Sequence, residues 1–217
     1  MKTKYAWRFL TVLTALVMIL GLIPGAAQAA PASPVTFTIL HTNDFHGQLV
    51  GSGSNPGADR LSYQINTVRT AVGADKVLLV DAGDEMQGSL LSNLQKGEPV
   101  IGTFNAMGYD VATFGNHEFD WGQPVLSERT AQATYSYVTA NIVKNDTGDC
   151  ATAGWEKPDF ASAPYVIKTV GTAPNAVNVA FIGVTTTEVP IITVATATEG
   201  LCFKDPQAAI LHYYDEV

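Results

Sequence analysis

Lys76-Val77-Leu78-Leu79-Val80-Asp81, followed by residues 89–94 and 99–107 at helical spacing and then by Asp110-Val111-Ala112-Thr113-Phe114, is the order that decides the fold class. A short apolar run bounded by turn signals reads as a buried strand. The two helical pieces are split at Gly97, and Gly108 stops the second before the next strand. Strand, helix and strand in that order predict a parallel crossover and an α/β fold. Toward the N-terminus, residues 35–40 read as an earlier strand, 51–57 as a loop, and 58–72 as a helix with Leu61, Ile65, Val68 and Val72 on one face. Toward the C-terminus, 124–133 reads as a helix, 137–140 as a fourth strand and 141–162 as a polar loop. Residues 165–170 and 177–184 read as strands paired across the turn-like 171–175, and a helical pattern follows Pro206.

The first residues have a different origin. Lys2, Lys4 and Arg8 precede an apolar stretch from Phe9 to about Ile23, Pro24-Gly25 breaks it, and Ala27-Gln28-Ala29 supplies the small residues of a cleavage site. Residues 1–29 are expected to be a secretory signal peptide cut after Ala29. The rival reading is an uncleaved anchor, but the stretch is short for the roughly 20 residues of a membrane span. No membrane anchor is expected after cleavage, and the destination is periplasmic, cell-envelope or extracellular. Cleavage removes three of the 12 basic residues and none of the 20 acidic ones, leaving 9 against 20 and a net charge of −11. That balance argues against a nucleic-acid partner and fits either a solvated exported surface or carboxylates that neutralise divalent cations. Residues 30–217 suit one domain. The sequence sets no oligomeric state.

Three segments sit where apolar runs stop: Asp44-Phe45-His46, Gly83-Asp84 and Gly115-Asn116-His117-Glu118. If residues 44 and 46 lie on a strand end, their side chains share a face, and a carboxylate and an imidazole turn toward one metal; turn chemistry is the plainer alternative. Asp84 follows Gly83, which lets backbone approach closely, and its two oxygens suit bridging a pair of cations. The alternative is that Asp81 and Asp84 cap a helix or form an Asx-turn. Glu85 reads as solvated. Asn116 offers a neutral oxygen to a second metal, and His117 is left for proton work. Asp120 is placed to hydrogen-bond the imidazole, fix its tautomer and favour its charged form. Against this stands an N-cap for the helix near Pro124 and a surface histidine.

The stretches 39–47, 81–84 and 114–122, with Thr139-Ala140-Asn141, residues 181–186 and residues 200–206 in support, resemble the calcineurin-like metallophosphoesterase superfamily in its secreted 5′-nucleotidase and UDP-sugar hydrolase branch. The resemblance runs from about Val35 to Val217. It implies a layered α/β sandwich, with 30–217 as the N-terminal part of a catalytic domain incomplete at its C-terminus. It also implies two divalent metal ions, Mn, Zn or Fe. Asp44 and His46 would bind the first, Asp84 would bridge both, and Asn116 would bind the second. His117 and Asp120 would form the catalytic dyad acting on a nucleotide or other small phosphoester.

Family members continue with H-x-G and then G-H-x-H segments that complete the metal spheres, and these do not occur in the 217 residues. His212 lacks a following glycine and reads as structural or solvated, and His41 reads as facing the other side of its strand. The chain is therefore expected to be a fragment of a longer protein, with weak metal binding and little turnover. The motifs are shared by UDP-sugar hydrolases, 2′,3′-cyclic phosphodiesterases and thiosulfohydrolases. A non-catalytic exported binding module is the reading from another class. Cys150 and Cys202, the only cysteines, are free to pair in an oxidising compartment or to remain two buried thiols. Asn145-Asp146-Thr147 matches a glycosylation acceptor.

Overall fold

The computed structural model describes residues 34–217, so the signal segment expected over 1–29 lies outside the described residues. Four parallel strands form the central sheet in the order β1 Thr38–Thr42, β2 Val77–Asp81, β3 Val111–Ala112 and β4 Ser136–Tyr137. Between β1 and β2 runs α1 (Gly57–Val72), between β2 and β3 run α2 (Leu90–Leu94) and α3 (Glu98–Met107), and between β3 and β4 runs α4 (Gly122–Gln132). The α/β class and the crossovers expected from the apolar runs are those observed. Parallel pairing has one consequence for function: the C-terminal ends of all four strands lie along the same edge.

Val77, Leu78 and Leu79 are all buried, as a central parallel strand covered on both faces requires. On α3, Val100, Ile101, Phe104 and Met107 are buried at helical spacing. Phe104 stacks on Tyr109 at 4.0 Å between centroids, and Phe114 on Tyr137 at 5.1 Å. These rings, with Phe119 and Leu79, fill the core below the strand ends.

Several boundaries differ from those read in the sequence. β1 begins at Thr38 instead of Val35 because its partner begins at Val77: the ladder runs from Thr38 opposite Val77 to Thr42 opposite Asp81. His41 is exposed on the alternate face, as the strand period requires. The fourth strand ends because, after a last bond from Val138 N–H to Ala112 O at 2.8 Å, the chain bonds elsewhere, Thr139 N–H to Ala163 O at 3.0 Å and Ala140 N–H to Gly183 O at 2.7 Å. The segment 141–162 is not all loop. It contains β5 (Ile142–Lys144), which pairs antiparallel with a distant strand, and the hairpin of β6 (Tyr165–Val170) and β7 (Val177–Ile182) follows in the expected pairing. After a single helical turn, α5 (Val189–Ile192), comes that distant partner, β8 (Leu201–Phe203), and then α6 (Pro206–Tyr214). His212 lies exposed on α6 and stacks on Trp155, centroids 4.2 Å apart. Among the described residues no helix is long and apolar enough to cross a membrane.

Cys150 and Cys202 are joined, their Cα atoms 5.4 Å apart across 52 residues of sequence. The bridge ties the irregular segment after β5 to β8. Closing a loop of that length stabilises by roughly 2–4 kcal/mol through the unfolded chain. The double variant Cys150→Ser/Cys202→Ser is therefore expected to lower the unfolding free energy by about that amount in a urea titration; an unchanged midpoint would show that the bridge contributes nothing.

Candidate metal centre

The loops leaving β1, β2 and β3 meet at one point because their strands are parallel and adjacent. The first two are zipped together by main-chain bonds: Asp44 N–H to Gly83 O at 3.0 Å, His46 N–H to Asp84 O at 2.9 Å, Gly47 N–H to Glu85 O at 2.8 Å, and Ser89 N–H back to His46 O at 2.9 Å. This bonding bends the chain sharply. Asp44, His46 and Asp84 have φ of 52°, 48° and 58°, and Lys96 is the one other non-glycine residue with positive φ among the described residues. A left-handed conformation costs such residues on the order of 1–2 kcal/mol each, and it persists only where the surroundings enforce it.

Asp44 and His46 therefore do not share a face by strand alternation. The ladder ends at Thr42, and both residues lie beyond it in a left-handed loop that follows its neighbour. His46 Nε2 nevertheless stands 3.7 Å from Asp44 Oδ1. Its Nδ1 lies 2.9 Å from the Gln87 carbonyl, so Nδ1 donates and the ring is oriented with Nε2 toward the Asp44 carboxylate. The second and third loops touch backbone to backbone: at Gly83, φ 99°, a Cβ would fall 2.4 Å from the Gly115 nitrogen.

Asp84 Oδ1 accepts the His117 N–H at 2.9 Å. His117 Nδ1 lies 2.7 Å from Asp120 Oδ2, the pairing expected from their spacing. Ligating atoms of His46, Asp84 and His117 all lie within 4.8 Å of one another. Asn116 stands half-buried at the start of the turn His117–Phe119, its side chain making no cap bond. The capping alternatives do not describe this site. The helix after Asp84 is capped by Ser89, and α4 has no side-chain cap. The Asx-turn belongs to Asp81, whose Oδ1 accepts the Gly83 N–H at 2.8 Å.

Two neighbours carry more than the sequence suggested. Glu118 is buried and accepts three main-chain N–H groups, from Asp84 at 2.8 Å, Glu85 at 3.0 Å and Gly115 at 2.7 Å. Glu85 is fully buried, not solvated as its sequence position suggested: its own main chain bonds both adjoining loops, the carbonyl accepting the Gly47 N–H and the N–H donating to Glu118, which turns its side chain inward. Neither role has a local signature, since each depends on a loop more than 30 residues away.

The electrostatics follow from the burial. Desolvation pushes Asp81 up to about 6 and, together with the Asp84 charge, pushes Glu118 up to about 7; Glu85 is driven well above the carboxylate range by burial and then by Asp81 and Glu118. Partial burial works against the His117 cation, but Asp120, then Asp84 and Glu118, outweigh it and raise its pKa. Acids this concentrated suit a bound cation. The donor set fits one: the His46 imidazole, a carboxylate with one oxygen unbonded, and an amide oxygen make a mixed N/O site for a first-row divalent metal.

No family model matches the chain. Over 205 residues it is 32% identical to the 5′-nucleotidase of Bos taurus, covering 89% of this chain and 33% of that protein. The chain is a homologue of the 5′-nucleotidases. This homologue is also 33% identical over 164 residues to the 2′,3′-cyclic-nucleotide 2′-phosphodiesterase/3′-nucleotidase of Haemophilus influenzae, covering 69% of this chain and 23% of that one. It thus spans a third or less of the length of these two relatives. The calcineurin-like phosphoesterase YfkN from Bacillus subtilis superposes with a TM-score of 0.68 over 82% of this chain and 57% of that one, at 24% identity. The fold is of the metallophosphoesterase type, as the motifs imply.

Two measurements test this geometry. Glu118→Ala leaves three buried main-chain N–H groups without an acceptor and is expected to cost about 2–4 kcal/mol of stability, with Glu118→Gln losing less; a neutral Glu118→Ala in a denaturant titration would contradict the clamp. In the ion-free chain, an NMR titration of His117 is expected to give a pKa above the ordinary imidazole value, falling in Asp120→Asn. Since the folded value is the raised one, His117 stabilises the fold below its unfolded pKa, and that contribution disappears as the pH rises through the folded pKa.

Proposed function

We propose that the chain carries the core of a two-metal phosphoester hydrolase that releases phosphate from nucleotides, in the manner its relatives' names describe. The observation that supports this most is the meeting of Asp84 and His117 at one point, with Asp120 bonded to the far side of the imidazole. In this reading Asp44 and His46 hold a first divalent cation, Asp84 is shared, and Asn116 holds a second; the metal is Mn, Zn or Fe. When bound, such ions supply an activated water and neutralise the phosphoryl oxygens.

The rest is done by the chain's own groups. Asp120 fixes the His117 tautomer and favours its cation. That cation faces the place where charge develops, to stabilise a phosphoryl oxygen or to protonate the leaving group at Nε2. The strained loops hold Asp44, His46 and Asp84 in place before any substrate arrives, so orientation is set by folding.

An exported location, with residues 1–29 as a cleaved signal peptide and 30–217 as one domain, is part of the proposal. The Cys150–Cys202 bridge supports it, because disulfides persist in oxidising compartments. The similarity to the Haemophilus protein favours a second reading, in which the ester is a 2′,3′-cyclic nucleotide. We further infer that this chain alone binds metal weakly and turns over slowly, because its candidate donors are few for two ions.

Phosphate release from AMP with Mn²⁺ is expected to be slow, abolished by chelation, and lowered by about 10²-fold or more in His117→Ala. Release that survives chelation would overturn the two-metal reading, and rapid turnover would overturn the inference of a weakly active chain. A preference for the cyclic ester over AMP would select the second reading.

A further inference from the structure

We propose that the Cys150–Cys202 bridge is a thiol-exchange site, opened by a small thiol that carries a positive charge and joins Cys150 while the chain keeps its fold. The site draws on none of the residues of the metal centre.

The two sulfurs have unequal access. Cys202 is 1% exposed and packs with Val143 and Ala153. Cys150 lies in the run 146–152, which is exposed throughout. A thiolate must reach the sulfur it attacks, so it joins Cys150 and displaces Cys202. The incoming sulfur bonds to Cys150 Sγ, the Cys150–Cys202 bond breaks, and its electron pair leaves on Cys202 Sγ, which takes a proton from water. The reverse attack, by Cys202 on the mixed disulfide, expels the thiol and restores the bridge.

Charge selects the thiol. Asp146 and Asp149 flank Cys150 in the sequence, and neither makes an ion pair among the described residues. Asp149 Oδ1 accepts the Ala151 N–H at 2.9 Å, which keeps that carboxylate beside the Cys150 turn. The lysines of this region are engaged elsewhere: Lys144 Nζ with Glu156 Oε1 at 2.7 Å and Asp159 Oδ1 at 2.9 Å, Lys157 Nζ with the Ala161 carbonyl at 2.7 Å, and Lys204 Nζ with the Ala153 carbonyl at 2.5 Å. On a chain of net charge −8, such a surface repels an anionic thiol and admits one whose ammonium offsets its thiolate.

Opening the bridge leaves the segment docked, because Trp155 is held without sulfur. The Lys204 ammonium lies 4.4 Å from the centroid of its ring, the His212 imidazole stacks on it at 4.2 Å, and the Tyr213 hydroxyl donates to its carbonyl at 3.1 Å. Next to it, the Lys144 N–H bonds the Glu156 carbonyl at 2.8 Å. Cys150 therefore stays within reach of Cys202, and closure is an intramolecular step.

The test incubates the folded chain with cysteamine or with 2-mercaptoethanesulfonate at equal thiolate concentration, maps the adduct by mass spectrometry after alkylation, and records circular dichroism in parallel. The adduct is expected on Cys150, with Cys202 alkylated only after denaturation, the folded spectrum retained, and the bridge restored when the thiol is dialysed away. Raising the salt from about 0.01 M to about 1 M is expected to speed the sulfonate by about threefold or more and to leave cysteamine nearly unchanged; the double variant Asp146→Asn/Asp149→Asn is expected to remove most of that acceleration. An adduct on Cys202, opening only in the urea-unfolded chain, loss of the folded spectrum on opening, or the same salt response for both thiols would each overturn the proposal.

Discussion

A single buried carboxylate holds the site together. Glu118 takes the main-chain N–H groups of Asp84, Glu85 and Gly115, so one side chain fastens the loop after β2 to the loop after β3. Those amides point inward because the loops bend through left-handed residues, and without an acceptor they would be stranded away from water. The clamp and the strain are therefore two parts of one arrangement. The first loop is added by its own main-chain bonds to the second, and the three candidate segments become one rigid unit.

Beneath this unit the chain tolerates an unusual concentration of acid. Asp81, Glu85 and Glu118 are buried near one another, and Thr42 and Tyr109 add hydroxyls at the edge of the group, Thr42 Oγ1 lying 2.7 Å from the tyrosine oxygen. Burial raises all three carboxyls, and the fully buried Glu85 is driven well above the carboxylate range by burial and then by Asp81 and Glu118. A cation arriving at the loops meets a field already directed toward it.

The α/β class and the crossovers were legible because strand, helix and strand impose different periods on the same kinds of apolar residue, and the runs at 76–81 and 99–107 follow those periods cleanly. The positions of Asp44, Asp84 and Asn116-His117 at strand ends were legible for the same reason. What stayed hidden depends on partners far away in sequence. Ile142-Val143 is too short to announce a strand, and becomes one only against Leu201–Phe203. Glu85 and Glu118 look like ordinary acids beside a motif, and their burial follows from contacts between loops more than 30 residues apart. The left-handed bend at Asp44 and His46 contradicts the simple alternation of a strand, because the ladder that would have enforced alternation ends two residues earlier.

The close approach of Gly83 to Gly115 leaves no room for a side chain between the loops that bear Asp84 and His117. Their separation is set by the thickness of two peptide backbones, a length that does not stretch or compress. Cations of different radius must then be accommodated by rotation of the donors about their side-chain bonds, while the frame stays fixed. Selectivity at a centre held there would therefore be a property of side-chain reach and not of loop movement.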